Sequence, residues 1–208
     1  MRAARSFAGF PALTLCLAAF LAVAGCSVPQ GGRAPVATWD FGPLPATSAT
    51  SAAPRLSGNL MVLAVDAPAW LDSAAMLYRL AYLDAAEPRA YAASRWIAPP
   101  AALLTERLRG AIAAAGAVVL TPGDSIRPVR TLRVEIEEFG QTFDSPASSR
   151  ARMRLRATVI AAGTLVAQRS FDIAIPAASA DARGAATGLA QVANLGMEQL
   201  VAWLASLR

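Results

Sequence analysis

Histidine and lysine are absent from this chain of 208 residues, and cysteine occurs only at Cys16 and Cys26. Without histidine, neither a Ser-His-Asp triad nor a Cys-His pair can form, and a zinc site would need carboxylates alone. Without lysine, a P-loop and Schiff-base chemistry are excluded. Most common hydrolytic, nucleotide-driven and zinc-dependent mechanisms are thereby removed, and paired-carboxylate chemistry is the enzymatic option that remains.

The acidic side chains do not favour that option. Each has a simpler interpretation as a turn, helix-surface or strand-surface charge. The available acids are Asp72, Asp84, Glu87, Glu106, Glu135, Glu137 and Glu138. We therefore predict a protein that is not an enzyme, with no catalytic residue, no metal ligand and no cofactor.

The first 26 residues have the pattern of a bacterial lipoprotein signal peptide. Arg2 and Arg5 form a positive n-region, residues 7–23 are apolar, and residues 23–26 (VAGC) form a small-residue cleavage site that ends in cysteine. We expect removal of residues 1–25 and attachment of diacylglycerol, and usually a further acyl chain such as palmitate, to Cys26. Two or three acyl chains make membrane attachment effectively permanent. The simpler alternative is an ordinary signal peptide whose cysteine happens to follow Gly25.

Ser27 occupies the position at which an aspartate would favour retention in the inner membrane. The sequence therefore points to the periplasmic face of the outer membrane, with the inner membrane as the less favoured site. The 183 residues that remain suffice for one core. They contain 17 arginines and 14 acids, a net charge of +3, so nucleic acid is an implausible partner for this exported protein.

A tether precedes the predicted domain. Of residues 27–58, 22 are Ala, Gly, Pro, Ser or Thr, which cannot bury enough apolar surface to fold alone. Trp39 and Phe41 interrupt this segment, and we expect them to pack on the domain as a short strand or strap. The expected organisation is a signal peptide over 1–25, a lipidated tether with an aromatic strap over 26–58, and one α/β domain over 59–208.

Hydrophobic periodicity predicts an α+β domain. Strands are predicted over residues 59–66, 76–84, 89–96, 118–120, 131–139, 150–160 and 165–175. Helices are predicted over residues 99–116, opened by a proline pair, and 179–207. We expect a single domain whose mixed or antiparallel sheet contains a meander, with two main helices packed on one face. The last helix is long enough to span a membrane, but its polar residues would meet hydrocarbon.

The meander strands show an alternation that buries one face. Leu132, Val134 and Ile136 are expected to point inward, and Glu138-Phe139 breaks the phase, which indicates a bulge. The second meander strand places four arginines on its wet face: Arg150, Arg152, Arg154 and Arg156. Gly184 and Gly188 have the spacing that permits a helix to approach the sheet closely.

Residues 70–108 resemble the ABC-type transport auxiliary lipoprotein family. The matching pieces are WDFG at 39–42, a Pro-x-Trp-Leu-Asp turn at 68–72, Tyr78-Arg79, and Ser94-Arg95-Trp96 followed by Pro99-Pro100 and a helix that contains residues 106–108. The Arg-Trp and Pro-Pro-helix combination is the most specific part. Ala98 departs from the pattern, since the family often has an acidic residue before the prolines.

The resemblance implies a non-catalytic lipoprotein that assists an MCE-type ABC transporter. In such systems an ATPase, a permease and a periplasmic MCE-domain protein carry out lipid transport between the two membranes. By resemblance, this protein would anchor or receive the MCE-domain protein at the outer membrane. Two alternatives stay open: a periplasmic lipid-binding carrier, which would take phospholipid, and an envelope-structural lipoprotein. A homo-oligomer is conceivable, because exposed sheet edges favour self-association.

Two surfaces are candidates for binding. The first is an aromatic and arginine cluster formed by Trp39, Phe41, Trp70, Tyr78, Arg79, Tyr82, Tyr91, Arg95 and Trp96. Burial in the core is the simpler interpretation of each aromatic, but tryptophan, tyrosine and arginine also dominate binding hot spots. The second is the four-arginine strand face, a candidate site for anionic headgroups. Its simpler interpretation is a solvated face paired with Glu135 and Glu137 on the neighbouring strand.

Overall fold

The alternating apolar pattern forms eight strands and two helices in a computed structural model that describes residues 35–45 and 54–207. The strands are β1 (Ala37–Trp39), β2 (Asn59–Val62), β3 (Ala75–Leu80), β4 (Arg89–Trp96), β5 (Val118–Leu120), β6 (Arg130–Ser145), β7 (Ser148–Ala161) and β8 (Thr164–Pro176). The helices are α1 (Pro100–Ala114) and α2 (Ala182–Ser206). The α+β fold predicted from the sequence is confirmed. Cys26 and the predicted signal peptide lie outside the described residues.

Strand β6 is the long strand that connects all parts of the single mixed sheet. Along one edge it pairs with β7 over almost its whole length. Along the other edge it pairs in parallel with β2 near its start and with β3 near its end. The remaining neighbours follow the order β1-β4-β3 on one side and β2-β5 on the other. One long strand thus holds together two smaller groups of strands.

The meander of β6, β7 and β8 is antiparallel, as predicted. Leu132, Val134 and Ile136 are buried, and the register shifts between Ile136 and Glu138, which confirms the predicted bulge. Because of the extra residue, Glu137 and Glu138 both reach the outer face, where each pairs with an arginine of β7.

Both helices cover the inner face of the sheet. Helix α1 begins at Pro100, where the missing amide would have no partner in any case, and buries Leu104, Leu108 and Ile112. Helix α2 packs on β7 and β8, and a Cβ added to Gly188 would lie 2.7 Å from the Cβ of Ala151. The predicted close approach of helix and sheet at this glycine is confirmed. No helix within residues 35–45 and 54–207 is both long and apolar enough to cross a bilayer.

Three strand ends differ from the prediction by four residues or more. Strand β3 ends at Leu80, four residues before the predicted end, because the amides of Leu83 and Asp84 both donate to the Leu80 carbonyl and close a turn there. Strand β2 ends at Val62, although the amide of Asp66 still donates to the Val134 carbonyl at 2.9 Å, so the chain continues beside β6 as a looser bridge. Strand β6 continues to Ser145, six residues beyond the predicted end. The pattern concealed this continuation because Gln141, a polar residue, occupies a fully buried inward position.

Candidate functional site

The strap residue Phe41 and the β4 residue Trp96 lie in the core. Trp96 is 1% exposed, and its ring centroid is 5.3 Å from that of Phe41 and 5.9 Å from that of Phe139. Strand β1 pairs in parallel with β4, which brings the strap onto the sheet. Both side chains are unavailable to a partner, so their assignment to a binding surface is corrected: they hold the strap in place through aromatic packing.

Trp39 and Arg95 lie on opposite faces of the β1–β4 edge. Trp39 is half-buried, and the Arg183 guanidinium of α2 lies 5.7 Å from its ring centroid. Arg95 is exposed and pairs in register with Thr38. The exposed aromatics Trp70 and Tyr82 lie in the turns before and after β3, so the predicted cluster is divided between different parts of the domain.

Tyr91 belongs to a polar relay centred on the buried Gln141, and Tyr78 packs against the Tyr91 ring. Their ring centroids are 4.6 Å apart, and the Tyr91 hydroxyl donates to Oε1 of Gln141. Nε2 of Gln141 donates to the Ser149 hydroxyl at 2.7 Å and to the Ser179 carbonyl at 3.2 Å. Burial raises the pKa of Tyr91 above its usual value. These contacts join β4, β6, β7 and the loop before α2, which is a structural role.

Trp70 is the exposed tryptophan of the predicted cluster, since Trp96 is buried and Trp39 is half-buried. The Trp70 side chain is 46% exposed, and the guanidinium carbon of Arg79 lies 5.6 Å from the indole centroid. Arg79 is itself fixed, because its Nη1 donates to the carbonyls of Ala85 and Ala86 at 3.2 and 3.1 Å. The indole is therefore held by a cation–π contact with an arginine that cannot easily move away.

An open cleft lies beside this indole, and we name it the aromatic cleft. It is lined by Trp70, Leu77, Tyr78, Arg79, Pro88, Glu138, Phe139, Gly140, Gln141 and Thr142. Gly140 forms part of its floor: a Cβ there would lie 3.1 Å from the Leu77 carbonyl oxygen. The enclosed space is about 10 Å³, close to what one water molecule occupies. The cleft can receive the end of a side chain but not an acyl chain.

The four arginines of β7, named the arginine ladder, are each paired with a carboxylate. Arg152 binds Asp172 through two hydrogen bonds of 2.9 and 2.6 Å, and Arg154 binds Glu138 at 2.7 Å. Arg150 pairs with Asp144, and Arg156 pairs with Glu137. The hydrogen bond from Arg152 lowers the pKa of Asp172.

This pairing matches the simpler interpretation of the ladder in part. Glu137 reaches across to β7 as expected, whereas Glu135 pairs with Arg133 of its own strand at 2.7 Å. Because each ladder guanidinium already has an anionic partner, an anionic headgroup would have to displace a carboxylate. The ladder is a mixed-charge surface rather than a positive one.

Several important residues were not identified from the sequence. Gly140 lies inside β6, and a glycine inside a strand pattern is a recognised signal of close backbone approach. Gln141 was not singled out, because its partners Tyr91 and Ser179 are 50 and 38 residues away. Arg107 belongs to the segment that carries the family resemblance, but its role depends on the strap carbonyl of Phe41, 66 residues away. The described residues contain no cluster of three or more potential metal ligands.

Together, the fold and this surface define a small α+β accessory domain with an ion-paired outer sheet face and one exposed aromatic cleft. Residues 42–201 match the family described as the ABC-type transport auxiliary lipoprotein component, and the chain belongs to that family. It is therefore an envelope lipoprotein associated with an ABC-type transport system. No curated protein matches the sequence.

Solved structures show the same fold. A protein from Xanthomonas campestris, described as a DUF330 protein, has a TM-score of 0.65 and 21% identity, over 82% of this chain and 91% of that one. A hypothetical protein from Chlamydia trachomatis has a TM-score of 0.51 and 11% identity, over 73% of this chain and 98% of that one. At such identities the likeness concerns the fold alone.

Proposed function

We propose that this protein is a non-catalytic lipoprotein, acylated at Cys26 and anchored at the periplasmic face of the outer membrane. It docks the periplasmic MCE-domain subunit of an ABC-type lipid transporter. Family membership supports the association with ABC transport. The observation that carries the docking role is the exposed Trp70 held by Arg79 at the rim of the aromatic cleft.

Three properties of the aromatic cleft suit a protein partner. A tryptophan exposed to this extent leaves apolar area in water that docking would cover, and Trp and Arg are enriched among the residues that dominate binding energy. The cleft is open to solvent and has space for the end of one partner side chain. Glu138 lines the cleft, and its carboxylate is already paired with Arg154, so a partner need not supply a charge to neutralise it.

The two alternatives make different demands. A lipid carrier needs a cavity that encloses acyl chains, and the space in the aromatic cleft is far too small for one. An envelope-structural lipoprotein needs no transporter, so its deletion would weaken the envelope equally in cells that lack the permease. Docking predicts that the deletion adds nothing in that background.

Affinity capture of the MCE-domain protein from mild-detergent extracts tests the proposal. Trp70→Ala should weaken binding about 30-fold, which corresponds to the 2 kcal/mol typical of a hot-spot residue. Trp70→Phe should retain part of the binding. Leu165→Ala, at an exposed position of β8, is the control that should leave binding unchanged.

Circular dichroism and thermal unfolding must show that each variant is folded. Equal capture by the Trp70→Ala protein and the unaltered protein would remove the aromatic cleft from the interface. Absence of any captured MCE-domain protein, with acylation of Cys26 verified by mass spectrometry, would contradict the docking role itself.

A further inference from the structure

The turn between β3 and β4 presents two neighbouring apolar side chains to solvent. Tyr82 is 40% exposed and Leu83 is 66% exposed. We name this pair the turn tip. No other part of the described chain covers either side chain fully, and both belong to residue types that favour the boundary between water and lipid.

The backbone around the turn tip is fixed by hydrogen bonds. Nη1 of Arg79 donates to the carbonyls of Ala85 and Ala86. The carboxylate of Asp84 accepts from the Ala86 amide at 2.7 Å, and the Asp84 amide donates to the Leu80 carbonyl at 2.9 Å. The turn tip is therefore held outward in a defined conformation.

The chain enters strand β1 from the direction of the sheet end that carries the turn tip. Strand β4 is antiparallel to β3 and parallel to β1, so β1 runs opposite to β3. At the start of β1 the chain is therefore directed from Ala37 back through Val36 and Pro35 toward the end where β3 finishes and the turn tip begins. Only two strand spacings, about 10 Å, separate β1 from β3.

The distance from the start of β1 to the turn tip is within the reach of the chain segment that joins Cys26 to β1. Ala37 pairs with Ser94 and Tyr78 pairs with Arg89, so the end of β3 lies about seven residues, or about 23 Å, above the start of β1. Eleven residue steps separate Cys26 from Ala37, and a chain of this length can reach at most about 40 Å. The turn tip can thus reach the surface of a membrane that holds Cys26.

The charges beside the turn tip compensate one another. Arg89 pairs with Glu87 at 2.6 Å, and Arg79 and Asp84 are engaged within the turn. A contact made here depends on apolar burial and not on attraction to anionic lipids. It therefore suits the headgroup region of zwitterionic or mixed phospholipid and should be insensitive to salt.

We propose that Tyr82 and Leu83 rest in the headgroup region of the membrane that holds the acylated Cys26. This inference depends on the lipid anchor in the proposed function but not on the identity of the docked partner. It gives the lipoprotein a second, non-covalent membrane contact. With two contacts, the end of β3 is directed at the bilayer, and the aromatic cleft, which shares Arg79 with this turn, lies beside the contact.

A site-specific fluorophore tests the contact. Because Cys26 is acylated and Cys16 is removed with the signal peptide, Leu83→Cys supplies a single free thiol for an environment-sensitive nitrobenzoxadiazole label. Val129→Cys is the matched control, since Val129 is 64% exposed and precedes β6 at the opposite end of the sheet. Both acylated proteins are reconstituted into phosphatidylethanolamine–phosphatidylglycerol vesicles that contain brominated lipid.

We expect a blue shift and quenching by brominated lipid at position 83, unchanged at high salt, and neither effect at position 129. Adding Tyr82→Ser should reduce the quenching. Equal signals at both positions, or no quenching at position 83, would overturn the contact while leaving a verified acylation of Cys26 and the docking role intact. A signal at position 83 that changes only on addition of the MCE-domain protein would assign the turn tip to a protein interface and would also overturn it.

Discussion

The guanidinium of Arg107 lies over the ring of Phe41, 5.8 Å from its centroid, and its Nη2 donates to the Phe41 carbonyl at 2.7 Å. The same group donates to the carbonyls of Gly42 and Pro43 at 2.7 and 3.1 Å, and to Oδ1 of Asn194 at 2.9 Å. One buried cation therefore fixes three consecutive carbonyls of the strap. Burial lowers the pKa of Arg107 below its usual value.

Arg107→Leu should destabilise the domain by about 3 kcal/mol, because four acceptors lose a charged donor. Urea unfolding measures this loss, and limited proteolysis should show faster cleavage after residue 41. Glu106→Ala, which alters an exposed charge in the same helix, should change stability by less than about 0.5 kcal/mol. A strap that stays protected in the Arg107→Leu protein would show that aromatic packing alone holds it.

Gly188 and Gly196 of α2 should respond differently to alanine. Each substitution gains about 1 kcal/mol of helix propensity. At position 188 the new Cβ meets the Cβ of Ala151, which is fixed to the β7 backbone, so the helix must shift at a cost of about 2 kcal/mol or more. At position 196 it meets the flexible end of Met153, which can rotate away. Thermal unfolding should rank Gly196→Ala above Gly188→Ala, and the reverse order would contradict the packing described.

Gln141 and Tyr91 should show coupled energetics. Gln141→Leu leaves the hydroxyls of Tyr91 and Ser149 without their partner and should cost about 2 kcal/mol. Tyr91→Phe should cost about 1 kcal/mol in the native background and almost nothing beside Gln141→Leu. A double-mutant cycle by chemical denaturation measures this difference, and strictly additive losses would argue against the relay.

Asp181 should make part of the stability depend on acid pH. It caps α2, its Oδ1 accepting from the Gly184 amide and the Ser179 hydroxyl, both at about 2.7–2.8 Å, and these bonds lower its pKa below the usual 3.8. Since the folded pKa is the lower one, this stabilisation is full above pH 3.8 and is lost as the pH falls through the folded pKa. Asp181→Ala should cost about 1 kcal/mol at pH 7. The difference between the two proteins should shrink in acid, and a constant difference would contradict the capping role.

Much of the fold could be predicted because its local signals agree. The proline pair starts α1, the alternation in β6 and β7 sets the buried face, and the phase break at Glu138 marks the bulge. The edge of β6 that β2 and β3 share could not be predicted, because it depends on which distant strands pair with the first and second halves of β6. Gln141 shows the difficulty: its position is apolar in environment but its side chain is polar, since its partners come from three other segments.

The sequence predicted which residue types the candidate site contains but not which of those residues are exposed at it. Sequence reasoning identified the right residue types but could not separate Trp70, which is exposed, from Trp96, which is buried, because both belong to one segment that is rich in aromatic residues and contains arginines. The distinction arises from strand register: Trp96 pairs with Trp39 on the inner face, whereas Trp70 lies in the turn before β3. The pairing of the arginine ladder likewise depends on the bulge that brings Glu138 opposite Arg154.

The parallel pairing of β1 with β4 has a mechanical consequence. A force applied at the start of β1 acts along the strand axis, so it loads the three residue pairs between β1 and β4 in shear. The same force also loads the hydrogen bonds from Arg107 to the Phe41 and Gly42 carbonyls, which follow β1. Bonds loaded together resist more than bonds peeled one by one. The attachment of β1 to β4 can therefore sustain tension applied at the start of β1 without unravelling the sheet.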